Sequence, residues 1–351
     1  MAISRPCGCY DTNYEQGEAI ARTGTQKILA GVALAFLFCL PLFLGTEWTS
    51  VVNLIIISAV AAQGLNFLTG YCGQISLGQA AFMAVGAYTS AIITTVLGLP
   101  FLVALPCAGL LAGLIGLIFG LPALKIKGFY LAMSTLAAQF IIIWVIEHLD
   151  ITGGTAKLDV IPASIGALSF RTEIQKYYLL LVIAIVMFFF AKNLVRSGVG
   201  RAWVAIRDND LAAEGMGINL RYYKLLAFFL CCFYAGIAGS MWAHYTTVLH
   251  PDHFGILNSI RYLGMIVIGG MGSITGTVFG VVFIKLLDEF TAILGPTLAA
   301  AFPAIGGGIF AALGLMIFGL VIILFLIFEP RGLYHRWQIF KNWYRLYPFS
   351  Y

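Results

Sequence analysis

The sequence predicts an all-α polytopic membrane protein with about ten transmembrane helices. Apolar residues make up 61% of the 351 positions, and the mean hydropathy is +0.95, whereas an average soluble domain is roughly 45–50% apolar. Only 10% of the residues are charged, and the basic ones cluster at the ends of apolar stretches. A soluble core of this length could not bury so much apolar surface. Helices of about 20 apolar residues can, because they satisfy their own backbone hydrogen bonds in lipid.

Ten apolar stretches account for the ten predicted spans. In chain order they cover 28–45, 50–69, 79–98, 101–121, 129–148, 177–195, 224–245, 255–270, 274–293 and 305–328. The first stretch follows a polar tail that has no small-residue cleavage pattern, so we expect an uncleaved span instead of a signal peptide. The predicted domains are therefore an N-terminal tail (1–27), a transmembrane domain (28–329) and a basic C-terminal tail (330–351).

The distribution of basic residues predicts the orientation. They precede the first span, follow the fourth, crowd the loop 196–224 after the sixth and follow the last: Arg22, Lys27, Lys125, Lys127, Arg196, Arg201, Arg207, Arg221, Lys224, Arg331, Arg336, Lys341 and Arg345. The positive-inside rule then places both termini and this loop in the cytoplasm. An even number of crossings must follow the loop, so the stretch 255–293 should form two short crossings, interrupted at Gly269–Ser273.

A polar, glycine-containing break at 71–79 joins the second and third spans. Non-helical backbone at membrane depth is tolerated where protein buries it or where it lines a cavity, and transporters use such breaks at their translocation path. Arg261 lies in the eighth predicted span, where an ionisable residue is expected to face the bundle interior. The predicted path residues are Asn66, Gln74, Ser76, Gln79 and Arg261. The alternative for the break is a plain cytoplasmic turn.

The charged loop 196–224 contains the segment RDNDLAAEGMG, which predicts a short helix on the membrane face. Asp208 and Asp210 are candidate N-caps, and Gly217 can adopt the left-handed C-terminal cap. We expect a helix with one small and one charged side that docks on a cytoplasmic partner. The predicted docking residues are Arg207, Asp208, Asp210, Ala212, Ala213, Glu214 and Gly217. The alternative is a solvated loop that only carries topological charge.

Other patterns exclude functions. No GxxxxGK[ST] motif is present, so we expect no ATP binding by this chain and no cofactor in it. The run Gly269–Gly276 has the spacing GxGxxxG, which favours a helix break and close packing, with Gly276 and Gly280 forming GxxxG. The seven cysteines contain no CxxC pair, and Cys7 and Cys9 form either a metal or lipid site or part of a frayed tail. Neither metal nor nucleic-acid binding is predicted.

The position of the acidic residues bears on the energy source. Glu147 and Asp150 lie at one predicted span end, and Lys285, Asp288 and Glu289 cluster near another. A proton-driven carrier more often buries an acid at mid-depth, so this pattern weakens that alternative.

Seven runs resemble one family, the permease subunits (M type) of ATP-binding-cassette importers for branched-chain amino acids. The runs are GYCGQISLGQAAFMAVGAY (70–88), KGFYLAMSTLA (127–137), TGGTAKL (152–158), AIRDNDLAAEGMGIN (205–219), KLLAFFLCCFYAGIAGSMWA (224–243), VIGGMGSITGTVFG (267–280) and EPRGL (329–333). The 205–219 run is similar to the family's coupling loop. The N-terminal tail has no counterpart, and the 152–158 run departs from the family by lacking a glycine before Leu158.

The resemblance implies a vitamin-B12-permease-like (type II importer) helical bundle in a bacterial-type inner membrane. It also implies the partners: a homologous second permease subunit, two cytoplasmic ATP-binding subunits that bind the ATP, and an external substrate-binding protein. Two alternatives stay open for function, namely an importer of urea, short amides or another small polar solute, and a self-sufficient secondary transporter or channel. Neighbouring genes would separate them, since only an importer subunit should lie beside genes for ATPases with Walker motifs. A structural scaffold is disfavoured by the polar helix breaks.

Overall fold

A computed structural model describes residues 24–122, 128–154, 156–165, 168–301 and 307–346. Cys7, Cys9, Lys125 and Lys127 lie outside the described residues. Contacts divide the chain into two compact units, Met1–Thr49 and Ser50–Tyr351. In chain order the helices are α1 (Gly24–Phe43), α2 (Thr46–Leu65), α3 (Gln79–Thr95), α4 (Phe101–Gly120), α5 (Phe129–His148), α6 (Glu173–Arg196), α7 (Gly198–Asp208), α8 (Asp210–Gly215), α9 (Leu220–Thr246), α10 (Ile256–Gly269), α11 (Ile274–Ala301), α12 (Gly307–Phe328) and α13 (Leu333–Leu346).

Each of the ten predicted spans coincides with one of these helices. Within the described residues, five helices are long and apolar enough to cross a membrane: Thr46–Tyr71, Phe101–Gly120, Tyr130–His148, Glu173–Arg196 and Leu220–Thr246. A sixth candidate is the pair Gly314–Phe328 and Leu333–Trp343, bent by 47°. The helical, multi-pass class is therefore confirmed. The count of ten crossings and the vitamin-B12-permease-like bundle remain predictions.

Helix α9 forms the centre of the second unit, where it packs closely against α3 and α4. Small residues allow this approach, because a Cβ on Gly86 would overlap the backbone of Gly236, and one on Gly239 would overlap the carbonyl oxygen of Met83. A stripe of glycines on α4 faces aromatic and cysteine side chains of α9, as close helix packing requires. These are Gly109, Gly113, Gly116 and Gly120 against Phe228, Phe229, Cys232 and Phe233.

Helices α10 and α11 form a tight antiparallel hairpin, which confirms two helices instead of one long one over 255–293. A Cβ on Gly280 would overlap the carbonyl oxygen of Met265, and Gly269 lies against the backbone of Gly276. Gly270 and Gly272 at the turn have φ values of 111° and 75°, which glycine adopts without steric cost. The 14 residues of α10 extend only about 21 Å, so α10 alone is too short for the hydrocarbon layer of about 30 Å.

Outside the helices, short strands form two antiparallel ribbons that the sequence did not predict. Strand β1 (Leu158–Asp159) pairs with β4 (Val248–Leu249), and β2 (Ser164–Ile165) pairs with β3 (Leu168–Ser169). The first ribbon ties the connection between α5 and α6 to the C-terminal end of α9. The predicted C-terminal tail is also more ordered than its name suggests, because most of it forms α13.

We predict that Gly280→Ala destabilises the α10–α11 hairpin, because the new methyl group meets backbone that cannot move aside. Overpacking of this kind costs about 1–3 kcal/mol. The measurement is the thermal unfolding midpoint of the purified protein in detergent. Gly319→Ala in α12 is the matched control, since nothing lies within 4 Å of its added Cβ. Equal midpoints for the two variants would contradict the hairpin packing.

Candidate functional site

The polar break at 71–79 folds back into the molecule. Helix α2 continues as a π-helix over Asn66–Tyr71, and α3 then begins at Gln79. The Gln79 side chain donates to the carbonyl of Ala61 at 2.7 Å. Ala61 lies ten residues before Tyr71, about 15 Å along a helix, so the segment 72–78 returns beside α2 by that distance. A surface turn would not do this.

The segment 72–78 is neither helix nor strand, and burial alternates along its first five residues. Cys72, Gln74 and Ser76 are buried, whereas Gly73 and Ile75 are exposed. Burial raises the pKa of the Cys72 thiol to about 12, so this thiol is protonated and poorly reactive at neutral pH.

The start of α3 is capped by side chains of two other helices. Ser259 of α10 accepts from the amide of Ala80 at 2.9 Å, and Gln139 of α5 accepts from the amide of Ala81 at 3.0 Å. The amide of Leu77 donates to the Thr135 hydroxyl at 2.9 Å. The sequence analysis missed Gln139 and Ser259. The available signal was a polar Thr135–Gln139 pair, four residues apart, in an otherwise apolar span.

Asn66 connects the first break to the turn between α10 and α11. Its Nδ2 donates to the carbonyl of Ser273 at 3.2 Å, and its Oδ1 accepts from the amide of Gly272 at 2.9 Å. One buried amide side chain therefore satisfies a donor and an acceptor of the second break. The two glycine-containing breaks, about 200 residues apart in sequence, form one structural unit.

The other predicted path residues differ in whether their side chains keep a hydrogen-bonding atom without a partner. Gln79 is fully engaged, since its Oε1 also accepts from the Cys231 thiol at 3.2 Å. Ser76 is buried and its Oγ accepts from the amide of Gly78 at 3.4 Å. The Oε1 atom of Gln74 accepts no hydrogen bond from the described residues. Gln74 therefore retains a free acceptor, whereas Asn66 and Gln79 hold the structure together.

A polar cavity of about 330 Å³ lies between the break and the charged loop. Gln74 lines it from the break, and Asp208, Asp210 and Lys224 line it from the other side. The break and the loop therefore share one surface region.

The predicted N-caps of the loop helix are wrong. Asn209 caps α8: its Oδ1 accepts from the amides of Leu211 at 3.0 Å and Ala212 at 3.1 Å. Asn209 has the extended backbone that an N-cap requires, with φ −160° and ψ 110°. Asp208 is still the last residue of α7, and Asp210 is already the first residue of α8.

The two aspartates pair with cations instead. Asp210 accepts from the Lys224 ammonium at 2.8 Å, and the Lys224 side chain is only 7% exposed. Asp208 pairs with Arg207 at 3.2 Å in a much more exposed position. The first pair fixes α8 to the start of α9. Removal of one partner from such a buried pair leaves an uncompensated charge.

The exposed face of α8 is more apolar than predicted. Ala213 is 2% exposed and packs against the core of its own chain, whereas Leu211 is 74% and Met216 is 83% exposed. Glu214 is also exposed. Ala213 therefore faces inward and is closed to any partner, whereas Ala212 is exposed. Gly217 has φ 84°, which confirms its left-handed conformation.

Arg207 is directed at both helix breaks. Its Nη1 donates to the carbonyl of Gly70 at 3.0 Å. A Cβ on Gly272 would lie 2.9 Å from the same Nη1, and one on Gly73 would lie 2.8 Å from the Arg207 side chain. The glycines thus leave the space that the arginine occupies.

Arg261 pairs with Asp288 of α11 at 3.8 Å, and both side chains are about one quarter exposed. Lys285, Asp288 and Glu289 lie near the end of the predicted span 274–293, and that position in the membrane stays a prediction. Helix α11 continues to Ala301, so these residues lie in its middle. The alternative of a proton-driven carrier therefore stays open.

The described helices define a multi-pass α-helical membrane protein with paired backbone breaks beside a polar loop. The family described as "Branched-chain amino acid transport system / permease component" matches residues 48–326. The chain therefore belongs to this permease family.

Three relatives illustrate the range of the family. The high-affinity branched-chain amino acid transport system permease protein LivM of Escherichia coli (strain K12) is 28% identical, over 76% of this chain and 69% of the relative. A probable branched-chain amino acid transport permease protein LivM of Methanocaldococcus jannaschii is 25% identical over 66% and 67%. The autoinducer 2 import system permease protein LsrC of Escherichia coli (strain K12 / DH10B) is 25% identical over 77% and 80%. No solved structure matches the chain.

We predict that Asn209→Ala loosens α8, because two backbone amides lose their acceptor at a cost of about 1 kcal/mol. Amide hydrogen exchange at 211–216 should accelerate roughly fivefold. Asp208→Ala is the matched control, since Asp208 accepts from no backbone amide of α8 among the described contacts. Faster exchange in Asp208→Ala than in Asn209→Ala would instead support Asp208 as the N-cap.

Proposed function

We propose that this chain is the membrane permease subunit of an ATP-binding-cassette importer for branched-chain amino acids. The observation that carries the proposal is a surface with exposed Leu211 and Met216 at the short helix α8, which directly follows the helix whose Arg207 contacts two backbone breaks, in a member of this permease family. Both are large apolar side chains exposed in an otherwise charged loop, and exposed apolar surface of this kind is typical of an interaction site when it is contiguous. The chain has no phosphate-binding motif, so ATP would bind to two separate cytoplasmic subunits.

Internal geometry supports the proposed orientation. Arg207 and the carbonyl of Arg331 both approach the turn at Gly270 and Gly272. The loop 196–224 and the start of α13 therefore lie at the same end of the molecule, as an even number of traverses requires. We assign this end to the cytoplasm of a bacterial-type inner membrane, with both termini inside. A second permease and an external binding protein would complete the importer.

The proposed translocation path runs beside the re-entrant segment 72–78. Gln74 offers a free acceptor there, and Arg261 with Asp288 places paired charges between apolar helices, where ionisable groups usually serve transport. Asn66, Ser76 and Gln79 support the path by holding its backbone in place.

Relatives of two kinds bear on the cargo. The LivM relatives are named for branched-chain amino acids, which is our proposal for this chain. The LsrC relatives are named for autoinducer 2, so a small polar solute is the second candidate. Proteoliposomes with the complete complex should take up labelled leucine, isoleucine or valine when ATP is present with the ATPases. Uptake of autoinducer 2 without leucine uptake would favour the second candidate, and uptake without any ATPase would favour a secondary transporter.

We predict that Leu211→Glu with Met216→Glu weakens ATPase binding at least about tenfold, because two apolar anchors become charged. Pull-down of the ATPase by the tagged permease measures this. Leu211→Met with Met216→Leu is the control and should bind normally. Ala213→Trp should instead reduce folded yield, because Ala213 faces its own core. Normal binding by the double glutamate variant would contradict the docking role. The loop would then serve only to carry the positive charge that sets the orientation in the membrane.

We predict that Gln74→Leu lowers leucine uptake severalfold while the complex still assembles, because a free acceptor in the proposed path is replaced by an apolar group. Ile75→Leu is the neighbouring control, since its exposed side chain stays apolar. Uptake per assembled complex is the measurement. Unchanged uptake in Gln74→Leu would remove this residue from the path.

A further inference from the structure

We propose that Arg207 is a positioning residue that transmits movement of the loop helix α8 to the two helix breaks. This inference rests on the proposed function, because it concerns how ATPase docking reaches the path. It changes the role predicted for Arg207 from the sequence, which was direct docking to the partner.

The first step is the contact with the break after α2. The Nη1 atom of Arg207 donates to the carbonyl of Gly70 at 3.0 Å, inside the π-helix Asn66–Tyr71. π-Helical turns interrupt regular α-helical bonding and are frequent at functional sites. A cationic donor gives a stronger hydrogen bond than a neutral one, so Arg207 stabilises this end of α2 in its present shape.

The second step is the contact with the break between α10 and α11. The same Nη1 lies beside Gly272, whose φ of 75° requires glycine. The amide of Gly272 also donates to Asn66. Arg207 therefore contacts the two breaks where Asn66 already joins them. A shift of the guanidinium would disturb both breaks at once.

The third step is the link to the docking surface. Arg207 lies in the last turn of α7, and Asn209, which caps α8, follows two residues later. Asp208 holds the guanidinium from its exposed side, at 3.3 Å to Nε and 3.2 Å to Nη2. Only a few residues of the chain therefore separate Leu211, on the exposed surface, from the arginine that contacts Gly70 inside. The cavity of about 330 Å³ beside Arg207 leaves room for such a movement.

The test uses the complete complex in lipid nanodiscs, with Arg207→Ala, Arg207→Lys and the control Arg201→Ala. Arg201 lies on the same helix, is exposed, and its Nη1 donates to the carbonyl of Arg196 at 3.4 Å, away from the breaks. Lysine keeps the charge but loses the planar fork of donors, so its effect should lie between those of alanine and the wild type.

The first measurement is the rate at which N-ethylmaleimide labels Cys72, followed by peptide mass mapping. Cys72 is buried in the break and lines the same cavity as Arg207. In Arg207→Ala the break should loosen and labelling should accelerate at least about threefold, whereas Arg201→Ala should match the wild type. The second measurement is leucine uptake per ATP hydrolysed. We expect this ratio to fall at least about threefold in Arg207→Ala, with ATPase binding retained.

The outcomes separate the two proposals. Unchanged Cys72 labelling in Arg207→Ala would overturn the positioning role, whatever happens to uptake. Loss of ATPase binding with unchanged labelling would return Arg207 to direct docking. If the wild-type complex takes up no leucine, the proposed substrate fails, while the labelling rates still decide the role of Arg207. If Arg207→Ala does not assemble, the same comparison is made with Arg207→Lys, whose unchanged labelling would overturn the proposal.

Discussion

The structure depends on how broken backbone is satisfied inside an apolar protein. Each buried donor or acceptor left without a partner costs about 1–3 kcal/mol, and lipid offers no water to replace it. Asn66 meets this requirement for the turn between α10 and α11, by binding Gly272 and Ser273 with one amide. Gln139 and Ser259 meet it for the start of α3. These few polar side chains fix the depth at which α3 begins and the place where the short α10 ends.

The sequence predicted the helices well, because a run of about 20 apolar residues has few other ways to satisfy its backbone. It also predicted both breaks, since glycine and polar residues interrupt apolar runs there. It could not predict that 72–78 folds back beside α2. The course of this segment depends on the hydrogen bond from Gln79 to Ala61 and on caps from distant helices. The spacing of residues along the chain does not reveal such partners.

The same limit explains why the sequence did not predict the N-cap of α8 and the direction of Ala213. Asp208, Asn209 and Asp210 are three adjacent residues with nearly equal preference for an N-cap position. Their backbone conformation and the partner Lys224 decide among them, and neither is visible in the local sequence. The inward direction of Ala213 was equally hidden, because a helix of six residues is too short for a periodic pattern. Sequence reasoning located the surface, but tertiary packing decided which of its side chains face outward.

The proposed energy coupling does not require a long internal pathway. The end of α7, the π-helical end of α2 and the α10–α11 turn meet around the guanidinium of Arg207. Glycines at 70, 73 and 272 supply the space and the backbone freedom there, whereas the long helices around them are held by close glycine contacts such as those of Gly86 and Gly280. A displacement of the loop by a partner is therefore expected to act first at the breaks, which Arg207 contacts directly.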